Sequence, residues 1–427
     1  MVYRLLTSLI RPFLPAYLRW RAWCGKEDPL RIGERYGRAV LPRPRGRVYW
    51  LHAASVGESV SALVLATSLL KKSADENDPA TILMTSGTVT SAAMLAERSA
   101  AFGGRLIHQY VPLDIAPWIN RFLRHWQPDL AVMVEGDLWP EMIRSTAARG
   151  IPLAMASAQI SEKSLRFWTG SGSGMAEQIF PAFDAIFAVD TDHAERFSRL
   201  PVKPDAVQVG GSLKAAAMPL ADNPEIMQKL NAAANGRRII LLASSHDGDE
   251  ALFINALDML VPHEALAVIA PRHPARAKAI LSLLEERGIS CRRRSEAAWP
   301  EATDGYWLAD RIGEMGGLIR AADMIVLGGG FTPLGGHNPM EMAALGKGVI
   351  SGPQVFKNNV AFDLLAQRDG VIFCNDSHGL REALDLLIAS PTRLERLNTG
   401  AFNAWKSRAH DADRIADSLI ARVKEAG

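Results

Sequence analysis

Two doubly wound α/β domains with parallel sheets, preceded by an amphipathic helix, are what this sequence predicts. Three observations carry that expectation. The chain is 427 residues long, its apolar runs are short and nearly continuous rather than alternating, and amphipathic stretches separate one run from the next. Buried parallel strands need apolar side chains on both faces, and helical crossovers are the usual way to join parallel neighbours. This length exceeds one ordinary core and suits two domains of about 200 residues each.

The first segment, residues 1–24, reads MVYRLLTSLIRPFLPAYLRWRAWC. Leu5, Leu9, Phe13 and Tyr17 recur every four residues, as do Leu6, Ile10, Leu14 and Leu18, which draws an apolar stripe along a helix. Arg4, Arg11, Arg19 and Arg21 leave no apolar run near the roughly 20 residues a spanning helix needs. Arg11 and Pro12 also split the core that a cleaved signal peptide would require. The pattern fits an anchor lying on an anionic membrane surface, and equally a helix packed on the protein body. Pro12 and Pro15 predict a kink in either case.

Charge follows the same division. Residues 1–45 hold ten Lys or Arg against three Asp or Glu, a net +7; the whole chain is +2, so the remainder carries −5. Basic residues confined to one end beside apolar ones argue against nucleic acid as a partner. Cys24, Cys291 and Cys374 are scattered, which argues against a disulfide framework or thiolate metal site and fits a reducing compartment.

After residue 45 the predicted strands are 48–54, 81–86, 106–111, 129–134, 151–156 and 185–189, then 238–243, 265–271, 323–329, 348–350 and 370–374. The polar stretch after VQVGGSLK (207–214) marks the boundary, giving domains 25–211 and 212–427. Such domains bind ligands beyond the carboxyl ends of their strands, so two of them facing one another enclose an interdomain cleft.

Segment 323–348, DMIVLGGGFTPLGGHNPMEMAALGKG, is the richest candidate. A buried strand runs into glycines, then Asn338, Pro339 and Glu341 stand at the N-cap, N1 and N3 positions of a helix, with Met340 between the last two. The free N–H groups of that helix end suit a phosphate. Glu341 either closes a capping box or holds ribose hydroxyls. The spacing is neither a dinucleotide-binding fingerprint nor a P-loop.

In WLHAASVGESVSA (50–62), Ser55 and Glu58 read as a capping box, or Glu58 as a general base beside Gly57. In VMVEGDLWPEMI (132–143), Glu135 and Asp137 either position a substrate or metal, or cap the helix that Pro140 opens. Arg272 and His273 follow a buried strand, where a phosphate clamp would sit, and Lys214 offers another fixed positive charge; the alternative for both is an ordinary surface Arg and Lys. Asp190 and Asp192 have the D-x-D spacing of nucleotide-metal sites, but their place before HAERFSRL assigns them to a helix cap. No other cluster has ligand spacing, so the expected reaction uses no metal and no cofactor.

SVGE, E-x-D-LWP at 135–140, GSLK, PRHP and GGHNPMEMAA, in that order after RIGERYG (31–37), resemble the Kdo (3-deoxy-D-manno-octulosonic acid) transferases of Gram-negative lipopolysaccharide synthesis. The resemblance runs from the basic N-terminus past residue 360. It implies the GT-B architecture, with the acceptor on the first domain and CMP-Kdo on the second. It implies inverting transfer to a lipid A precursor on the cytoplasmic face of the inner membrane, without metal. Glu58 would be the catalytic base, Glu135 and Lys214 the transition-state stabilisers. CMP would be held by Pro271 and Arg272, by Ile312, Gly313 and Glu314, and by Asn338, Pro339, Met340 and Glu341. Ile312 stands where relatives often have Met. SAQIS (157–161) departs from N-A-R-[LI]-S, so Gln159 replaces an arginine and removes a charge from the acceptor side. The competing expectations are a GT-B enzyme using a UDP-sugar, a sugar-nucleotide epimerase, and a catalytically silent membrane-surface binding protein.

Overall fold

The computed structural model describes residues 2–75, 79–216 and 219–426. Met1 and Gly427, the outer ends of the first and last predicted segments, lie outside them. The chain divides into two units, Met1–Leu213 with His410–Gly427, and Lys214–Ala409.

In the first unit the strands are β1 (Arg47–His52), β2 (Ala80–Ser86), β3 (Leu106–Tyr110), β4 (Leu130–Val134), β5 (Leu153–Ala158), β6 (Ala185–Ala188) and β7 (Val207–Val209). They form one sheet in the order β3-β2-β1-β4-β5-β6-β7, parallel at every pairing. Every residue of β4 and β5 is buried, as strands covered on both faces must be.

The second unit repeats the plan with β8 (Arg238–Ser245), β9 (Ala265–Pro271), β10 (Cys291–Arg293), β11 (Tyr306–Leu308), β12 (Met324–Leu327), β13 (Val349–Ser351) and β14 (Val371–Phe373), ordered β10-β11-β9-β8-β12-β13-β14. Alternate residues of β8 feed two cores. Ile239, Leu241 and Ala243 pack with Trp307 and Leu327 on one face, and Ile240 and Leu242 with Phe253 and Ile254 on the other. This is the physical origin of the unbroken apolar runs.

All the predicted strands are present, and β7, β10 and β11 are additional. Each spans only three residues, and β7 and β10 lie at sheet edges. A second difference concerns the C-terminus. Residues 212–427 were expected to form one domain, but the helix Asp411–Ala426 belongs to the first unit. Its apolar face, with Ile415, Ala416 and Leu419 at most 1% exposed, is buried there. Lys72 on the helix Val56–Asp75 pairs with its Asp417 at 2.8 Å. An amphipathic stripe declares that a helix packs, not which core it packs on.

The N-terminal segment is two helices, Val2–Ile10 and Leu14–Trp23, joined by a 3₁₀ turn at Arg11–Phe13 that contains Pro12. Thr7 and Leu18 are buried, whereas Leu5, Leu9 and Phe13 are 60%, 70% and 73% exposed. The predicted stripe therefore points outward over most of its length, while Thr7 and the stripe's own Leu18 dock on the unit. Arg4 and Arg21 are ion-paired with Glu141 and Glu27, leaving Arg11 and Arg19 exposed beside the stripe. Among the described residues no helix is long and apolar enough to cross a membrane.

Candidate active site

Strand order reverses direction between β1 and β4 in the first sheet, and between β8 and β12 in the second. At such switch points the loops leaving adjacent strands turn to opposite faces and open a crevice at their carboxyl ends. Glu58 and Glu135 follow β1 and β4, and residues 338–341 follow β12; Arg272, residues 312–314 and Lys214 follow β9, β11 and β7.

In the first unit β1 runs into the helix Val56–Asp75, which carries Glu58 in its first turn. The Ala54 and Ser55 N–H groups donate to Glu58 Oε2 at 2.6 and 3.3 Å, and the Glu58 N–H donates to Ser55 Oγ at 3.3 Å. The reciprocal capping box is thus formed, through one carboxylate oxygen, and Oε1 stands outside it. Glu135 follows β4 with φ +67°, a left-handed conformation costly for its side chain. Its Oε1 accepts from Ser61 Oγ at 3.3 Å, on the same helix one turn beyond Glu58. Burial first, then the charges of Glu58 and Glu135, hold the Asp137 carboxyl above its ordinary range. These three acids form one group.

Neither Glu135 nor Asp137 caps the helix Pro140–Ala147. Asp114, from the loop after β3, accepts from the Glu141 and Met142 N–H groups at 2.9 and 2.8 Å. Asp190 does cap, accepting from the His193 N–H at 2.8 Å. Gln159 lies beside the acidic loop, its N–H donating to Glu135 O at 3.4 Å. Just before it, Ser157 bulges out of β5 with φ +54° and accepts from the Leu213 N–H through Oγ at 3.2 Å.

In the second unit Ser244 bulges similarly at the end of β8, with φ +55°. Beyond it His246 stacks on His337 with ring nitrogens 2.9 Å apart, so that one Nε2 donates to the other. Arg272 follows β9, its backbone N–H donating to Ser245 O at 3.0 Å and its side chain exposed. The glycine loop closes with the Gly336 N–H on Gly329 O at 2.9 Å, and both glycines have positive φ. Asn338 Oδ1 accepts from the Met340 N–H at 3.1 Å and its Nδ2 donates to Lys214 O at 3.1 Å. Pro339 and Met340 are buried, Glu341 half-buried in the first turn.

Ile312, Gly313 and Glu314 lie beyond β11, which pairs with β9, with Ile312 77% exposed. Glu314 is held by Arg294 at 2.9 Å, and Arg294 lies over Trp299 at 4.2 Å. Lys214, Pro271, Arg272, 312–314 and 338–341 thus all belong to the second unit, and Glu58 and Glu135 to the first. Sequence reasoning missed Asp114, Arg294 and the histidine pair. Their partners lie 27, 20 and 91 residues away, beyond the reach of any local motif.

Buried histidines give a pH dependence. Burial lowers His52 to about 4, His108 to about 3 with help from Arg31, and His337 to about 4 with help from Arg272. In the unfolded chain each titrates near 6.5. Below that pH the unfolded state binds protons the folded state refuses, so stability is complete above about 6.5 and falls on acidification. The loss is about 2 kcal/mol for each histidine by pH 5. Asp249, which burial raises to about 6, acts in the opposite sense and offsets part of it. The melting temperature should fall steadily from pH 7 to pH 5, with a shallower slope for His337→Asn. A flat profile would refute the neutral, buried state of these rings.

Comparison with known proteins places this arrangement. Residues 30–217 match the family described as 3-deoxy-D-manno-octulosonic-acid transferase. The chain is 32% identical over 429 residues to the 3-deoxy-D-manno-octulosonic acid transferase of Bordetella pertussis, covering 97% of this chain and 96% of that one. It is 31% identical over 391 residues to that of Rickettsia conorii, covering 91% and 81%. The fold is similar to that of UDP-GlcNAc 2-epimerase from Neisseria meningitidis, with a TM-score of 0.58 at 14% identity over 88% of this chain and 99% of that one. With two parallel seven-stranded sheets in the GT-B manner and this likeness over nearly its whole length, the chain belongs to the 3-deoxy-D-manno-octulosonic acid transferase family of glycosyltransferases.

Proposed function

We propose that the protein transfers Kdo from CMP-Kdo to a lipid A precursor of the lipid IVA type, with inversion and without a metal or cofactor. The observation that carries this reading is the acidic group at the β1/β4 switch point, with Glu58 Oε1 outside its capping box and Glu135 on the same helix face through Ser61. Glu58 takes the proton from an acceptor sugar hydroxyl as its oxygen attacks the anomeric carbon of Kdo. The bond from that carbon to the CMP phosphate breaks, and CMP leaves with the electron pair. Glu135 and Lys214 stabilise the charges that develop in the transition state.

On the second unit Arg272 meets the phosphate, and Pro271, Ile312, Gly313, Glu314 and residues Asn338 through Glu341 hold the nucleotide. Backbone contact at Ile312 and Gly313 suits a Glu314 carboxylate already engaged by Arg294. The exposed stripe of Leu5, Leu9 and Phe13, flanked by Arg11 and Arg19, would rest on the anionic cytoplasmic face of the inner membrane, where the lipid acceptor resides.

Calorimetric titration should show CMP binding more tightly than UDP. Mass spectrometry of a reaction with CMP-Kdo and a tetra-acylated acceptor should show product heavier by one or more Kdo units. Preferential binding of UDP, or an unchanged acceptor, would overturn the assignment in favour of a UDP-sugar enzyme or a binding protein.

A further inference from the structure

The acidic loop 135–139 is only as well placed as its two ends. One end is β4, buried at every residue. The other is the helix Pro140–Ala147, whose N-cap residue Trp139 makes no side-chain capping bond to it. That helix end is held instead from outside. Asp114 accepts from its Glu141 and Met142 N–H groups, is itself 6% exposed, and accepts from the Tyr3 hydroxyl at 2.7 Å. Glu141, fully buried, accepts a two-pronged pair from Arg4 at 2.7 and 2.6 Å and a third bond from Ser145 Oγ at 2.8 Å. Two consecutive residues of the N-terminal helix therefore grip two buried carboxylates at the root of the loop.

We infer that Tyr3 and Arg4 are positioning residues for the transfer reaction, making the N-terminal helix part of the support of Glu135 and Asp137 independently of membrane contact. The inference rests on the reading of Glu135 as a group acting on the reaction. Its physical basis is the geometry of the clasp. A bidentate guanidinium–carboxylate pair is strong and directional, and fixes orientation as well as distance. Asp114 and Glu141 are buried close enough for their charges to interact, so without Arg4 the buried Glu141 charge loses its directly bonded cation and keeps only Ser145 and the field of Arg144 against a like charge. The helix end would then shift, and the loop with it. Glu135 has little tolerance for that, since its left-handed backbone persists only where its surroundings impose it. Arg4 also differs from Arg11 and Arg19 in having its guanidinium paired with a buried carboxylate, Glu141, while the rest of its side chain stays exposed.

The test is turnover of the full-length Arg4→Ala variant with acceptor in neutral detergent micelles, where anionic lipid contributes nothing. At a temperature where circular dichroism shows it folded, kcat at saturating substrates should fall about 10- to 100-fold, because misplacement of about 1 Å costs that order. KM for CMP-Kdo and the affinity for CMP should stay unchanged, since those residues belong to the other unit. A kcat within about twofold of wild type would overturn the inference, whatever happens to thermal stability or vesicle binding. Should Arg4→Ala fail to fold, Tyr3→Phe removes one hydroxyl and is read the same way, with a drop of about threefold or more expected. Glu135→Ala, run in parallel, separates the two ideas. Normal turnover there refutes the role of the loop itself. An inactive Glu135→Ala beside fully active Arg4→Ala and Tyr3→Phe refutes the clasp alone.

Discussion

Glu58→Gln is expected to lower kcat by about 10²- to 10⁴-fold, the contribution of a positioned general base, with little change in CMP affinity or melting temperature. Glutamine is the informative substitution because Glu58 has two roles to separate. The carboxylate accepts from the Ala54 and Ser55 N–H groups while the Glu58 N–H donates to Ser55 Oγ, and that capping box accepts Gln as readily as Glu. The amide oxygen can receive the Ala54 N–H, so the helix start survives. What the amide cannot do is take a proton from an acceptor hydroxyl. Glu58→Ala would remove both functions and cost about 0.5–2 kcal/mol of stability as well. If Glu58→Gln transfers at the wild-type rate, Glu58 is a cap and the base lies elsewhere.

Arg35→Ala is expected to destabilise the first unit by about 3–5 kcal/mol, the usual cost of breaking a buried ion pair from one side. Arg35 is 5% exposed and its whole fork is used. It donates to Glu27 at 2.9 and 3.0 Å, to Val111 O at 2.9 Å and to Gly87 O at 2.6 Å. Gly87 in turn donates to Ala54 O at 3.2 Å, at the end of the strand that leads into Glu58. One guanidinium therefore ties the loops after β2 and β3 to the start of the Glu58 helix. Removal leaves the buried Val111 carbonyl and the half-buried Gly87 carbonyl without that donor, and Glu27 with Arg21 alone. At about 2–4 °C per kcal/mol for a unit of this size, the melting temperature should fall by roughly 10 °C. Arg35→Lys should rescue little, since an ammonium cannot serve three directions in one plane. A melting temperature within about 2 °C of wild type would show that the network is dispensable.

RIGERYG shows how a motif can be recognisable without its purpose being legible. Its residues stand together in sequence, but Arg31 and Glu34 reach His108 O at 2.9 Å and the Tyr110 N–H at 2.6 Å on β3. Those partners lie more than seventy positions away. Glu58 illustrates the opposite case. Spacing alone left cap and base as alternatives, and the structure shows the cap formed while one oxygen stays outside it, so the two are compatible. For Glu135 and Asp137 the local alternative was capping the Pro140 helix, and Asp114 has taken that place.

By itself the sequence determined what depends on neighbours along the chain. The central strands are apolar on both faces because both faces are covered, and the helix starts carry Ser55 and Asp190 where orphan N–H groups need acceptors. The helix expected to be capped by Asn338 begins one residue later, at Met340, with Pro339 as its N-cap. Ordered motifs added the family. Tertiary structure alone decided which core the last helix joins, which way the N-terminal stripe faces, and which buried acids are neutralised by which arginines. Those outcomes depend on contacts between residues tens to hundreds of positions apart, and the identity of a buried charge does not name its partner until folding brings the two within hydrogen-bonding distance.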